Sequence, residues 1–241
     1  MDDYVRYRPS YPPEVVELLT EECRLLPESE IADVGSGTGI LSKLFLAAGY
    51  RVTGVEPNAD MRAAGDQLLE GYSNFSSVGG RAEATGLPDA GVDLVLAGQA
   101  FHWFDPRAAR REFARILRPP RWVALIWNER LVDETDFLRG YEVLMQRYAP
   151  EYGASDHRRI DAKAIGAFFG HERWKLATFP NPQYMDFQHL RGRMMSSSYA
   201  PVPGHENHEP LMDSLERLFR KTNENGQVDF LHRTNVYYGA L

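Results

Sequence analysis

Three glycines at alternate positions follow a short apolar run near the start of the chain. They are Gly35, Gly37 and Gly39, in the segment Asp33-Val-Gly-Ser-Gly-Thr-Gly. Glycine permits positive φ angles, and because it has no Cβ it lets the backbone approach a ligand closely. In an open α/β sheet, a turn from strand to helix lies at the carboxyl edge, where ligands bind. The spacing therefore predicts a ligand-binding loop.

An acidic residue, Glu56, ends the next predicted strand and is placed to accept hydrogen bonds from two ribose hydroxyls. A dinucleotide site would also show the pattern G-x-G-x-x-G, because pyrophosphate must sit against the helix N-terminus. Here the third glycine comes one residue early, and Ile40 stands where that pattern requires glycine. The spacing therefore counts against a nicotinamide dinucleotide.

A third candidate segment, Gln99-Ala-Phe-His-Trp-Phe104, follows the strongest predicted strand, Val92 to Ala97. Its aromatic side chains would attract a cation and exclude water at the sheet edge. The alternative is that they cap the apolar core. His102 has a reference pKa near neutrality, which suits a general base, although a packed structural histidine fits the sequence as well.

Apolar residues at helical spacing alternate with short apolar runs over most of the chain. Strands are predicted at 31–34, 51–56, 75–78, 92–97 and 122–127. Helices are predicted near 13–25, 40–48 and 59–69, and a further one has Phe113, Ile116 and Leu117 on one face. Strands alternating with helices imply a parallel sheet with helices on both faces. The predicted fold class is α/β, a doubly wound, seven-stranded, mostly parallel sheet with a C-terminal antiparallel hairpin.

Beyond residue 128 the alternation weakens. We expect a single domain over 1–241, with a ligand-binding core at 1–129. Residues 130–205 are predicted to be an insertion that covers the open end of the sheet, punctuated by Pro180-Asn-Pro182. Residues 206–241 are predicted to form a closing helix and strand.

Composition excludes several classes of protein. The 241 residues carry a net charge of −7, which argues against binding to nucleic acid through its phosphates. A single cysteine, Cys23, cannot form an internal disulfide and indicates a reducing compartment. The absence of a signal-peptide pattern and of a long apolar run predicts a cytoplasmic protein without a membrane partner. No metal site is predicted, because His205 and His208 lack the spacing of known zinc signatures.

The quoted motifs resemble those of the class I methyltransferases that use S-adenosylmethionine. The resemblance is to the small-molecule (type 11) family that includes trans-aconitate methyltransferases. It is carried by the following segments: Asp33 to Gly39, Val55-Glu-Pro-Asn58, Gly80 to Pro88, Gln99 to Phe104, Tyr7-Arg-Pro-Ser-Tyr-Pro12 and Val236-Tyr-Tyr-Gly239. It implies S-adenosylmethionine as cofactor and a small-molecule acceptor of the methyl group, such as a carboxylate.

The resemblance also implies roles for individual residues. Glu56 would hold the ribose, Met61 would flank the adenine, and Ala82 and Glu83 would meet the adenine edge. The remaining cofactor contacts would come from Asp33, Gly35, Gly37, Gly39, Gln99 and Ala100. Arg81 departs from the family, whose members often carry aspartate at that position.

Acceptor residues are predicted from segments near the expected reaction centre. Tyr7 and Arg8 of the N-terminal arm, Trp103 and Arg193 are candidates for contacting the substrate, and His102 is the candidate catalytic base. Two alternatives remain open from the residues: an NAD(P)-dependent oxidoreductase, and a protein that binds S-adenosylmethionine without catalysis.

Overall fold

Seven strands form one mixed sheet in the computed structural model, which describes residues 8–149, 151–152, 162–170, 173–197 and 199–241. The strands are β1 (Glu30–Val34), β2 (Arg51–Val55), β3 (Phe75–Val78), β4 (Val92–Gly98), β5 (Leu117–Arg130), β6 (Lys175–Met185) and β7 (Val228–Ala240). Their order is β3-β2-β1-β4-β5-β7-β6. Strands β1 to β5 pair in parallel, and the C-terminal strands are antiparallel. The predicted fold class is confirmed.

The helices connect these strands in the expected alternation. They are α1 (Glu14–Cys23), α2 (Ile40–Ala47), α3 (Ala59–Leu68), α4 (Pro106–Ile116), α5 (Asp136–Tyr148), α6 (Ala162–Phe169), α7 (Phe187–Met195) and α8 (His208–Thr222). Local residues explain where several of them begin. Asn58 and Asp105 accept hydrogen bonds from backbone N–H groups in the first turns of α3 and α4, and Pro106 suits the first helical position.

The chain divides into two compact units. Unit 1 comprises Met1–Pro9, Glu129–Arg159 and Pro180–Arg233, and unit 2 comprises Ser10–Asn128, Ile160–Phe179 and Thr234–Leu241. Unit 2 therefore contains β1 to β4, α1 to α4 and also α6. The single-domain organisation suggested by the sequence stays a prediction.

Two apolar layers form the core of unit 2, one on each face of its sheet. Successive residues of β1 and β4 contribute to opposite layers, as the alternation of side chains along a strand requires. One layer holds Val95 and Phe113 with residues of α6, and the other holds Leu94 and Phe45 with residues of α1. This packing fixes the carboxyl ends of β1, β2 and β4, where the candidate loops begin.

Unit 1 has an apolar core of its own, built from α5, α7, α8 and adjoining strand residues. Helices α5 and α8 approach closely at Gly140, where an added Cβ would lie 2.4 Å from Leu218 Cδ1. Tyr141 and Phe230 pack edge to face in this core with ring centroids 5.0 Å apart. Unit 1 is therefore a packed body rather than an irregular cover.

The stretch from 130 to 205 contains more regular structure than its sequence indicates. Strand β6 runs through Pro180 and Pro182, which we expected to interrupt the chain. That expectation was wrong because β6 is the last strand of the sheet, and an edge strand tolerates residues without an N–H donor. Helix α6 belongs to unit 2, where Phe168 packs against Phe113 with ring centroids 6.0 Å apart.

Candidate functional site

The glycine loop joins β1 to α2, and all three of its glycines have positive φ angles: +73° at Gly35, +56° at Gly37 and +80° at Gly39. The Gly35 N–H donates to the Val55 carbonyl at 2.8 Å, which ties the loop to the end of β2. A Cβ at Gly35 would lie 2.6 Å from the Ala100 Cβ, whereas one at Gly37 would meet only Met61 Cε, at 3.5 Å. Gly35 is therefore needed for packing, and Gly37 leaves its backbone accessible.

The third glycine, Gly39, has a packing role in this structure. An added Cβ would lie 2.6 Å from Leu69 Cδ1, directly after α3. Gly65 of α3 also lies close to the loop, because a Cβ added to it would be 3.3 Å from the Gly37 carbonyl oxygen. The early third glycine thus lets α3 approach the loop, and its direct contact with a cofactor stays a prediction.

Glu56 lies beneath the loop at the end of β2 and is 9% exposed. Its Oε2 accepts from the Gly37 N–H at 3.0 Å, and its Oε1 accepts from the Asn58 N–H at 2.9 Å. An ionised carboxylate has about four acceptor positions, so these two bonds leave capacity for two ligand hydroxyls. The two bonds show that Glu56 shapes the loop, and its ribose-binding role stays a prediction.

Asp33 is buried at the end of β1 and has one carboxylate oxygen in use. Its Oδ2 accepts from the Ser42 hydroxyl at 2.7 Å, while its Oδ1 has no hydrogen-bond partner among the described residues. Burial raises the pKa of Asp33 to about 6, against the lowering effect of Ser42, and the nearby Glu56 charge raises it further. A buried acceptor with no partner at a ligand-binding edge suits a positively charged ligand.

The segment after β4 reaches the same loop. Ala100 and the Phe104 ring both lie against Gly35, within 2.6 and 3.6 Å of the Cβ that Gly35 lacks. Gln99 takes a left-handed φ of +55° and donates from Nε2 to the Asn128 carbonyl at 3.1 Å. The structure thus brings Ala100 against the glycine loop, and the cofactor contacts of Gln99 and Ala100 stay predictions.

His102 and Trp103 lie on the exposed turn Phe101–Trp103 that follows. Trp103 is 77% exposed, and its ring centroid lies 4.8 Å from that of His102. The His102 ring also lies 6.0 Å from Trp127, a buried residue whose Nε1 has no hydrogen-bond partner among the described residues. Trp127 is a neighbour of His102 that the sequence analysis did not identify, because it was assigned only to a core strand.

The three residues predicted to contact adenine, Met61, Ala82 and Glu83, differ in their surroundings. Met61 lies beside Gly37, and Ala82 is buried. The Glu83 carboxylate accepts from the Asp105 N–H at 2.8 Å, just before α4. Glu83 therefore has a structural contact already, and its role at the adenine edge stays a prediction.

The remaining predicted acceptor residues are Tyr7, Arg8 and Arg193. Tyr7 lies outside the described residues, and Arg8 and Arg193 belong to unit 1. Arg8 donates to the Ser196 carbonyl at 3.2 Å. Arg193 is half-buried on α7. The sequence analysis missed Arg130 and His232 in this unit, because β5 and β7 carry no motif that singles them out.

The described residues contain neither a metal-binding cluster nor a membrane-spanning helix. No group of three or more His, Cys, Asp or Glu side chains is arranged to hold a metal ion. No helix there is long and apolar enough to cross a membrane.

The residues around the glycine loop fit S-adenosylmethionine. Glu56 has free acceptor positions for ribose hydroxyls, Asp33 has a buried acceptor for a cation, and Gly37 exposes its backbone. Two carboxylates in one site also suit a ligand that carries positive charge. The fit therefore rests on hydrogen-bonding capacity and on charge.

Comparison with known proteins agrees with this site. Residues 32–125, all within unit 2, match the model of a methyltransferase domain. An uncharacterised methyltransferase of Schizosaccharomyces pombe is 28% identical over 98% of this chain and 92% of its own length. One from Mycobacterium tuberculosis is 40% identical over 53% of this chain, which spans only about half (49%) of that protein.

Among solved structures, an Anaeromyxobacter dehalogenans protein named as a type II methyltransferase shares the fold. Its TM-score is 0.70 at 20% identity, with 97% of this chain and 98% of that chain covered. Sheet order, glycine loop, acidic residue after β2 and family match lead to one conclusion. These findings support a class I S-adenosylmethionine-dependent methyltransferase, with residues 32–125 as the matched methyltransferase domain.

Proposed function

We propose that this protein transfers a methyl group from S-adenosylmethionine to a carboxylate of a small-molecule acceptor. The observation that carries the proposal is the pairing of two buried carboxylates, Asp33 and Glu56, around an open glycine backbone. When bound, S-adenosylmethionine supplies an electrophilic methyl group on a sulfonium, whose sulfur keeps the electron pair of the broken S–C bond.

This chain's own residues supply binding and orientation. Glu56 accepts the ribose hydroxyls, Asp33 balances positive charge, and the Gly37 backbone approaches the ligand without a side chain in between. Holding donor and acceptor in line can supply much of the acceleration of such a displacement. The aromatic residues His102, Trp103 and Trp127 supply faces that attract a sulfonium cation.

A carboxylate acceptor suits this arrangement because it is already ionised at neutral pH. Its oxygen forms the new C–O bond without losing a proton, so no general base is required. An alcohol or amine acceptor would need a base for efficient transfer, and His102 is the candidate for that role. Acceptor chemistry therefore decides whether His102 takes part in proton transfer or only lines the site.

The test combines cofactor binding with a panel of acceptors. Calorimetry with S-adenosylmethionine and with NADH is expected to show binding of the first alone. Purified protein is then incubated with S-adenosylmethionine and a carboxylic acid, an alcohol or an amine of similar size. S-adenosylhomocysteine is expected to form with acids only, together with a methyl ester that releases methanol in mild base.

Each arm can fail separately. Binding of NADH in place of S-adenosylmethionine would overturn the cofactor assignment. Turnover with amines or alcohols and none with acids would overturn only the carboxylate. Cofactor binding without turnover across the panel would instead support a binding protein.

A further inference from the structure

Basic side chains from four separate segments meet in unit 1. Arg8 comes from the N-terminal arm, Arg130 from the end of β5, Arg193 from α7 and His232 from β7. Together with Tyr141 they are called the arginine cluster below. The Arg130 guanidinium lies 5.0 Å from the Tyr141 ring centroid, and His232 stacks on Phe230 at 5.2 Å. The cluster therefore lies against the apolar core of unit 1 rather than on an open surface.

Several donors in the cluster are buried without a hydrogen-bond partner among the residues that the structure describes. They are Nε and Nη1 of Arg193 and Nη1 of Arg130. Leaving buried donors unsatisfied is costly, above all when the group is charged. A native structure with such donors in one place indicates a missing acceptor.

One carboxylate that contacts this cluster, Glu142, is already engaged. Glu142 Oε2 accepts from Arg130 Nη2 at 2.5 Å and from the Tyr152 hydroxyl at 2.6 Å. Among the described residues, the strongest charge interactions of Arg193 are with Tyr141, Arg8, Tyr199 and Arg130, and none of these is a carboxylate. Glu142 thus balances Arg130, while Arg193 has no described anion beside it.

The electrostatic effects on these groups agree with an excess of positive charge. Burial lowers the pKa of His232 to about 3, and the charges of Arg193 and Arg130 lower it further. The pKa of Arg193 is also lowered, first by burial and then by Arg8 and Arg130 among its neighbours. His232 is therefore neutral at pH 7, and the arginines remain cationic.

We propose that the arginine cluster binds an oxyanion group, a carboxylate or a phosphate, of a small molecule, with Arg193 as its principal ligand and Arg130 and His232 beside it. A guanidinium presents several fixed donors that match such groups, and it is the preferred partner of a buried oxyanion. The proposal rests on the proposed function in one respect: it takes the methyl acceptor to be the natural ligand of the arginine cluster.

Its test needs no cofactor and no turnover. Thermal unfolding of the full-length protein is followed with malonate, citrate or inorganic phosphate, against chloride at equal ionic strength. The proteins compared are the wild type, R193M and R191M, which removes an exposed arginine from the same helix. An anion at about ten times its Kd is expected to raise the Tm of the wild type and of R191M by about 2–4 °C.

R193M is expected to bind the same anion at least about 10-fold more weakly. Without anion, R193M is expected to unfold at the same temperature as the wild type or higher, because removing one of several adjacent buried charges relieves repulsion. A preference for malonate or citrate would assign the site to carboxylates, and a preference for phosphate would assign it to phosphate esters.

Two results would overturn the proposal: equal stabilisation of wild type and R193M by every anion, or a large loss of stability in R193M that no anion changes.

Should R193M fail to fold, NMR of the wild type alone tests the proposal. Anion binding at pH 7 is expected to shift the ring signals of His232, because it places a negative charge beside the imidazole. Unmoved His232 signals at saturating anion would exclude the site. Because none of these measurements involves S-adenosylmethionine, their failure leaves the proposed function standing, and the reverse also holds.

Discussion

The glycine loop of unit 2 and the arginine cluster of unit 1 carry charges of opposite sign, and both leave some hydrogen-bonding capacity unused. The loop holds two buried carboxylates, Asp33 and Glu56, and the cluster holds Arg130 and Arg193. Each contains buried polar atoms without a described partner. The comparison leads to a different expectation for each region, a cationic ligand at the loop and an anionic ligand at the cluster.

The strongest way to separate the two regions is Gly37→Val. A branched side chain would stand where the backbone approaches the cofactor, so we expect S-adenosylmethionine affinity to fall at least about 1,000-fold, or about 4 kcal/mol. Gly49→Val is the matched control, because Gly49 has a φ of +94° and open space around it. Calorimetry is expected to show normal cofactor affinity in Gly49→Val. Normal affinity in Gly37→Val would reduce the loop to a structural turn.

The next effect concerns the acidity of Asp33. Its pKa of about 6 lies above the unfolded value of 3.8, so its ionised form is disfavoured in the folded protein. Stability from this group is therefore present below pH 4 and is lost as pH rises to about 6, by about 3 kcal/mol in total. Denaturant unfolding at several pH values is expected to show this loss in wild type and not in D33N.

Cofactor binding sharpens the same prediction. A cationic ligand favours the ionised form of Asp33, so S-adenosylmethionine affinity is expected to rise between pH 5 and 7 in wild type. In D33N this rise should be absent. A D33N protein with the wild-type pH dependence in both measurements would assign the titration to another group.

A smaller loss is expected from Glu56→Ala. Removing a charged acceptor from two ribose hydroxyls should weaken cofactor binding by about 1–3 kcal/mol. Part of that loss comes from the loop, since the Gly37 and Asn58 N–H groups also lose their acceptor. Glu112→Ala is the comparison variant, because its carboxylate also accepts from a backbone N–H, that of Thr85, and no cofactor contact is predicted for it. Equal effects of the two variants on calorimetric affinity would contradict a specific ribose contact.

The smallest effect is expected from His102→Ala. Cofactor affinity should be unchanged, and turnover of a carboxylate acceptor should fall by less than about 10-fold, because no proton is removed. The loss should appear mainly in KM. Steady-state kinetics that show a fall in kcat of about 100-fold or more would identify His102 as a base and favour an alcohol or amine acceptor.

Sequence alone predicted that the glycine loop, Glu56 and the segment after β4 start at the carboxyl ends of neighbouring strands. Asp33 to Gly39, Glu56 and Gln99 to Ala100 each follow a strand, and parallel strands bring their carboxyl ends to one edge. Strand order along the chain therefore specifies which short segments meet. The packing role of Gly39 was not predictable, because it depends on the distance to Leu69.

The arginine cluster could be predicted only in part. Arg8 and Arg193 were suggested as acceptor residues, whereas Arg130 and His232 were not, since they lie in strands without a motif. Their proximity depends on how α7, β5 and β7 pack, which periodicity does not specify. The same limit explains β6, whose two prolines read as a break and are tolerated only because the strand lies at the edge of the sheet.

Those prolines also affect how the protein behaves at high concentration. Residues two apart in a strand direct their backbone groups to the same side, so Pro180 and Pro182 remove donors from one side of β6. The other side pairs with β7, which leaves the donor-poor side facing outward. An exposed strand margin normally invites pairing with another chain and can seed fibrils. Here that margin offers few N–H groups, so we expect light scattering to show more self-association when both prolines are replaced by threonine.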